Sequence, residues 1–141
     1  ESPYYNENHK KFREKVRQFV EDELLPYVHD WDEAGEFPPE LYKKAYDAGI
    51  YGAIWPKEYG GTPPQGFDVF HDLILIDELA RSSAGGLISC IFSFGIALPP
   101  ILNTGSQYLK DLVARDVITG KKIMSLAVTE PYAGSDVANL E

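Results

Sequence analysis

The chain has one cysteine, Cys90, so it can form no internal disulfide and no paired-cysteine metal site. Lying in an apolar stretch, Cys90 reads as a small buried residue rather than a nucleophile. There are only three histidines, His9, His29 and His71, spread along the sequence with no H-x-x-x-H or calcium-loop pattern, so no metal is expected. Basic residues are scarce, 13 against 22 acidic, and the net charge of −9 argues against nucleic acid and anionic membrane surfaces as partners. Neither G-x-G-x-x-G nor G-x-x-x-x-G-K-[ST] occurs, which removes the Rossmann and P-loop readings. Between Arg81 and Lys110 there is no Asp, Glu, Lys or Arg at all. Gly85-Gly86, Gly95, Pro99-Pro100 and Asn103 interrupt that stretch, so its wholly apolar runs fall far short of the roughly 20 residues a bilayer needs. It reads as a central helix buried on all sides.

What remains is the composition of a globular domain: 141 residues, 44% apolar, 25% charged and 13% aromatic. The chain starts Glu1-Ser2-Pro3-Tyr4 with no basic or apolar targeting stretch in view. A first helix is expected from a cap near Asn8, with Phe12, Val16, Phe19, Val20 and Leu24 at helical spacing. Pro26 should kink it or open a new turn carrying Tyr27, Val28 and Trp31, ended by Gly35. Pro38-Pro39 starts a second helix with Leu41, Tyr42 and Ala45 inward and Gly49 as its stop. Residues 56–67, crowded with Gly and Pro, form a loop. Asp68 caps a third helix whose inner side is read as Val69, Leu73, Ile76, Leu79 and Ala80. The uncharged stretch is the fourth helix. A fifth runs from Ser106 to Ile118, offering Leu109, Leu112, Val113 and Ile118 for packing, and Gly120 ends it.

A short strand over Ile123 to Thr129 follows, halted by Pro131 and a small-residue turn ending Ser135-Asp136. Its edge presents N–H and C=O groups, Gly134 admits close approach of a ligand, and Ser135 offers a hydroxyl and an amide to a phosphate. A lone strand cannot satisfy its own backbone, so it calls for a β domain beyond these residues.

Val128-Thr129-Glu130-Pro131-Tyr132-Ala133-Gly134-Ser135-Asp136 resembles the flavin-binding signature of the acyl-CoA dehydrogenases. Trp55-Pro56 with Tyr59-Gly60-Gly61, Asp77-Glu78-Leu79-Ala80, and Gly120-Lys121-Lys122 fall in that family's order and spacing. The resemblance implies a mainly α fold. Residues 1–121 would be the N-terminal orthogonal helical bundle, and residues 122–141 the first strand and flavin turn of a middle β-barrel domain.

It further implies FAD as cofactor and α,β-dehydrogenation of an acyl-CoA to a trans-2-enoyl-CoA. Leu126, Val128 and Thr129 would address the flavin, and Ser135 the pyrophosphate and the CoA-bearing substrate. Leu87, Ile91 and Phe94 would wall the acyl tunnel. The base would be a Glu in a C-terminal domain, so Glu130 is structural and these residues alone are inactive. An electron-transfer flavoprotein would take the electrons, and the intact enzyme would be a dimer or tetramer in the mitochondrial matrix or bacterial cytoplasm. Leu126 replaces a frequent aromatic and Tyr132 a commonly small residue, which blurs the substrate class. A flavin oxidase or monooxygenase, or a non-catalytic assembly or lipid-sensing protein, would share the scaffold.

Overall fold

A computed structural model describes residues 3–141. Helix α1 spans Glu7–Phe19. Its cap is Asn6, two residues before the expected Asn8, because the Asn6 carboxamide accepts from the amides of Asn8 and His9 while the His9 ring accepts from the Asn6 amide. One π-helical turn, Val20–Leu24, continues α1 and keeps Val20 and Leu24 both inside the core before Pro26 ends the run. Helix α2, Val28–Ala34, stops at Gly35, whose φ of 72° is left-handed. Helix α3, Glu40–Asp47, follows Pro38-Pro39 and buries Leu41, Tyr42 and Ala45 as expected.

The connection from Ile50 to Phe67 is irregular yet built into the core. Ile50, Tyr51, Ala53 and Trp55 are buried in it. The Tyr51 and Trp55 rings lie 4.2 Å and 5.1 Å from that of Phe94. After a short 3₁₀ turn, Lys57–Tyr59, Gly61 crosses so close to Trp55 that a Cβ would stand 1.9 Å from the Trp55 carbonyl oxygen. Tyr46 Oη donates to the Gly60 carbonyl at 2.8 Å and Arg115 to that of Glu58 at 3.1 Å, fixing the turn from two sides.

Helix α4, Val69–Ala80, is capped by Asp68, but its inner face differs from the one expected. Val69, Leu73 and Ile76 are 73%, 51% and 60% exposed and Ala80 is also exposed; His71, Ile74, Leu75, Glu78 and Leu79 are buried. Apolar residues occur around most of this helix, so periodicity alone leaves its rotation open. The ion pairs of Glu78 with α1 decide it. The uncharged stretch is two helices, α5 (Gly85–Ile91) and α6 (Phe94–Thr104), broken at Phe92-Ser93. By length and mean hydropathy, 1.8, it would suffice to cross a membrane, and only 28% of it is buried, so the expectation of burial all round is corrected. Leu87, Ile91, Phe94, Ala97 and Leu98 face the core; Ile96 and Cys90 are exposed, correcting the buried reading of Cys90. Helix α7, Gln107–Ile118, starts at the Ser106 cap and packs with Ala114, Val117 and Ile118, while Leu109 and Leu112 are exposed.

The expected strand is not formed. Among the described residues no β ladder occurs, and the stretch from Ile123 to Thr129 runs unpaired to an isolated bridge between Glu130 and Ala133. With no neighbouring strand, its N–H and C=O groups have nothing to pair with. Among the described residues, seven α-helices around one core, with that tail, stand where five helical segments and a strand were expected.

Candidate functional site: an apolar groove and the backbone edge that leaves it

Helices α2, α3 and α5 enclose a groove of about 400 Å³. Trp31 of α2, Phe37, Tyr42 of α3, Leu87 and Cys90 of α5, and Ile123 of the tail line it, with Asp32 and Glu36 supplying carboxylates. Burial, with the Cys90 thiol second, pushes the Tyr42 phenol up, so Tyr42 stays neutral and the aromatic walls carry no charge. Such a cavity suits an extended apolar chain, each buried methylene contributing about 0.8 kcal/mol.

Of the three residues assigned to an acyl tunnel, Leu87 borders the groove. Ile91 and Phe94 lie deeper, in the core, with Phe94 packed on Tyr51 and Trp55. Trp31, Phe37, Tyr42 and Ile123 are groove residues that sequence reasoning did not single out. Tyr42 was legible as an inward aromatic; that α2 and α3 fold over α5 was not.

The tail begins at the groove wall. Ile123 lines the groove, and Ser93, at the α5–α6 break, donates its hydroxyl to the Met124 carbonyl at 3.0 Å. From Ser125 to Thr129 the chain is exposed. Leu126 and Val128 are 53% and 41% exposed. No backbone hydrogen bond among the described residues uses the amides of Leu126, Val128, Thr129 or Ser135. The turn after them is closed by the Glu130 and Ala133 amides, each donating to the other's carbonyl at 2.9 Å and 3.3 Å. The Glu130 carboxylate accepts from the Glu141 amide at 2.9 Å, a structural tie. At Gly134 a Cβ would find only Thr129 Cγ2, at 3.8 Å, so the backbone is open to a ligand. Free amides, an open glycine and the Ser135 hydroxyl fit a flavin edge and its pyrophosphate.

Two further clusters clamp α1 to α4. Glu78, with no exposed surface, accepts from Arg17 Nε and Nη2 at 2.9 Å and 2.8 Å and from Arg13 Nη1 at 2.6 Å. Burial alone would raise its carboxyl; the Arg17 and Arg13 guanidiniums outweigh that and hold it below the ordinary value. At the other end of the same helices, His9 and His71, far apart in sequence, bring their rings to 4.3 Å. Their ligand atoms and those of Asp68 lie within 4.8 Å of one another, a spacing a cation can use. Each ring, however, receives a backbone amide at Nδ1, from Asn6 at 3.1 Å and from Asp68 at 3.2 Å. That places the His9 proton on Nε2, which faces Asp68 Oδ1 at 2.9 Å, while His71 Nδ1 also lies 3.1 Å from Asp68 Oδ1 and its buried Nε2 has no partner. Through the Nδ1 contacts His9 and His71 complete the caps of α1 and α4, and the His9–Asp68 contact joins the two caps.

Known proteins share the sequence pattern and the fold. Residues 6–121 match the family model described as acyl-CoA dehydrogenase, N-terminal domain. The chain is 35% identical over 148 residues to the acyl-CoA dehydrogenase AFT10-1 of Alternaria alternata, covering 96% of this chain and 34% of that protein. It superposes on an acyl-CoA dehydrogenase from Geobacillus kaustophilus with a TM-score of 0.84 at 29% identity, covering 99% of this chain and 36% of that one. An acyl-CoA dehydrogenase complexed with FAD from Bacillus anthracis gives 0.79 at 28% identity, covering 99% of this chain and 24% of that one. The chain thus spans about a third of the length of the curated relatives it matches. With residues 6–121 matched by that family model, the chain belongs to the acyl-CoA dehydrogenase family, whose N-terminal domain it carries there.

Proposed function

We propose that this chain supplies the acyl-chain wall and one flavin-facing edge of an enzyme that converts an acyl-CoA to its trans-2-enoyl-CoA. The observation that carries the reading is continuity: Ile123 lines the apolar groove, and the unpaired amides of Leu126, Val128 and Thr129 begin three residues later. A substrate chain laid in the groove would bring its reacting carbons toward that edge.

The groove residues bind and orient. Leu87, Trp31, Phe37 and Tyr42 exclude water from the acyl chain, with Ile91 and Phe94 backing them from the core. FAD, when bound, accepts the hydride lost from the substrate's β carbon. The amides of Val128 and Thr129 and the Thr129 hydroxyl would donate to the flavin's pyrimidine edge, stabilising negative charge there, with Leu126 beside them. Ser135 would hold the pyrophosphate and lie near the CoA thioester. The α proton needs a carboxylate that these residues do not provide. Glu130, tied to the Glu141 amide, keeps the turn closed instead.

In this reading residues 122–141 pair with strands of a following β domain, and a C-terminal domain supplies the base. The whole enzyme is then a homo-oligomer, dimer or tetramer, that passes electrons to an electron-transfer flavoprotein.

The test is a fusion of residues 1–141 to the remaining domains of the Geobacillus kaustophilus relative. Anaerobic addition of octanoyl-CoA should bleach the bound flavin, and Leu87→Lys in the groove should abolish bleaching while FAD stays bound. A folded, flavin-loaded fusion that no acyl-CoA panel bleaches contradicts the proposal.

A further inference from the structure

The groove holds groups that a plain alkyl chain does not use. Asp32 and Glu36 stand among its lining residues, and no Lys, Arg or His does. Neither carboxylate makes an ion pair among the described residues. Trp31, Phe37 and Tyr42 share the wall, the last two with ring centroids 5.7 Å apart. Tyr42 is only 6% exposed, and its hydroxyl has no hydrogen-bond partner among the described residues. Ring faces, a phenol oxygen and unpaired carboxylates all present negative potential, and no basic side chain in the groove cancels it. The carboxylates also have a place along the groove. Asp32 Oδ1 would stand 3.8 Å from a Cβ on Gly86, in the first turn of α5. Ser93, just beyond the other end of α5, holds the Met124 carbonyl next to Ile123. From Gly86 to Ser93 the helix and its cap rise roughly 10 Å, so Asp32 marks the end of the groove away from the tail.

We propose that the groove selects acyl thioesters whose far end carries a positively charged nitrogen, an ammonium or its methylated form. The inference rests on the proposed function for the direction of the chain: thioester toward the tail, far end toward Asp32. The methylenes of such a chain pack on Leu87 and Ile123, and its head meets the aromatic faces with Asp32 and Glu36 at the mouth. Both carboxylates are exposed, so the head keeps part of its hydration while it gains their attraction. A chain ending in a carboxylate is repelled there. A plain alkyl end fits the apolar wall but leaves the charged end of the groove without a partner.

The experiment titrates the chain with two pantetheine thioesters that differ only by nitrogen for carbon, 5-(trimethylammonio)pentanoyl and 6,6-dimethylheptanoyl, and reads binding by isothermal calorimetry. The cationic probe should bind roughly tenfold or more tighter than its neutral isostere. Asp32→Asn combined with Glu36→Gln should bring the ratio of the two affinities to about one. Both side chains are exposed, so the exchange leaves the core intact. Equal affinities in the native chain would overturn the inference. A ratio that survives the double substitution would overturn it too, tracing the preference to the acidity of the whole chain rather than to the groove. Absence of saturable binding by either probe would likewise overturn it. None of these outcomes involves flavin, so the dehydrogenase reading stands or falls separately, on bleaching of the fusion by octanoyl-CoA.

Discussion

Glu78 shows how one side chain can set the packing of two helices. It is fully buried, and Arg13 and Arg17 of α1 satisfy both its oxygens, with Arg81 Nε at 3.4 Å. Removing the charge leaves the guanidiniums facing a neutral group in a closed site, so Glu78→Gln should cost about 3–5 kcal/mol, measured by urea unfolding. The pH dependence has a definite sign. The folded carboxyl lies below its ordinary value of 4.5, so its contribution is complete above that pH and is lost as pH falls through the folded value. Urea midpoints below pH 4.5 should therefore fall more steeply for the native chain than for Glu78→Gln; parallel curves would show that Glu78 is not the group responsible. At this scale the sequence was partly legible. Glu78 stood in the Asp77–Ala80 motif, but nothing local told that two arginines 61 and 65 residues earlier would meet it.

Helix α4 poses the same problem one level up. Its ends were readable, because Asp68 is a strong cap and its apolar run stops at Arg81. Its rotation was not, because both sides of the cylinder are apolar and the polar residues that settle it, His71 and Glu78, point inward. The structure makes opposite claims for adjacent residues. Ile74→Ala should cost about 2–5 kcal/mol through the cavity it leaves, whereas Leu73→Lys and Ile76→Lys should change stability by about 0.5 kcal/mol or less in this chain. Thermal melts of the three variants distinguish this rotation from the one expected from periodicity, which predicts the reverse order. The α5–α6 stretch was misread for a related reason: absence of charge reports that no ion is solvated there, not that every side is covered. The Ile123–Thr129 run failed as a strand because strand formation is a property of a pair, and the described residues hold no partner for it.

Across the molecule, the helical bundle was legible from caps, glycines and apolar spacing, and the family from four ordered motifs. The groove was not, since it arises where α2, α3 and α5 converge and no single stretch encodes it. Its position gives the tail a place: Ile123 stands at the groove wall five residues before Val128, so in the proposed function acyl pocket and flavin edge would be two ends of one surface. One face of a flavin cannot hold it tightly, and the amides offered by Leu126, Val128 and Thr129 sit in an exposed, unladdered run. The most direct test is equilibrium dialysis of residues 1–141 against FAD, with bound flavin quantified per chain. The account predicts weak retention well below one flavin per chain and no bleaching by acyl-CoA. Tight, stoichiometric FAD binding by these residues alone would contradict it.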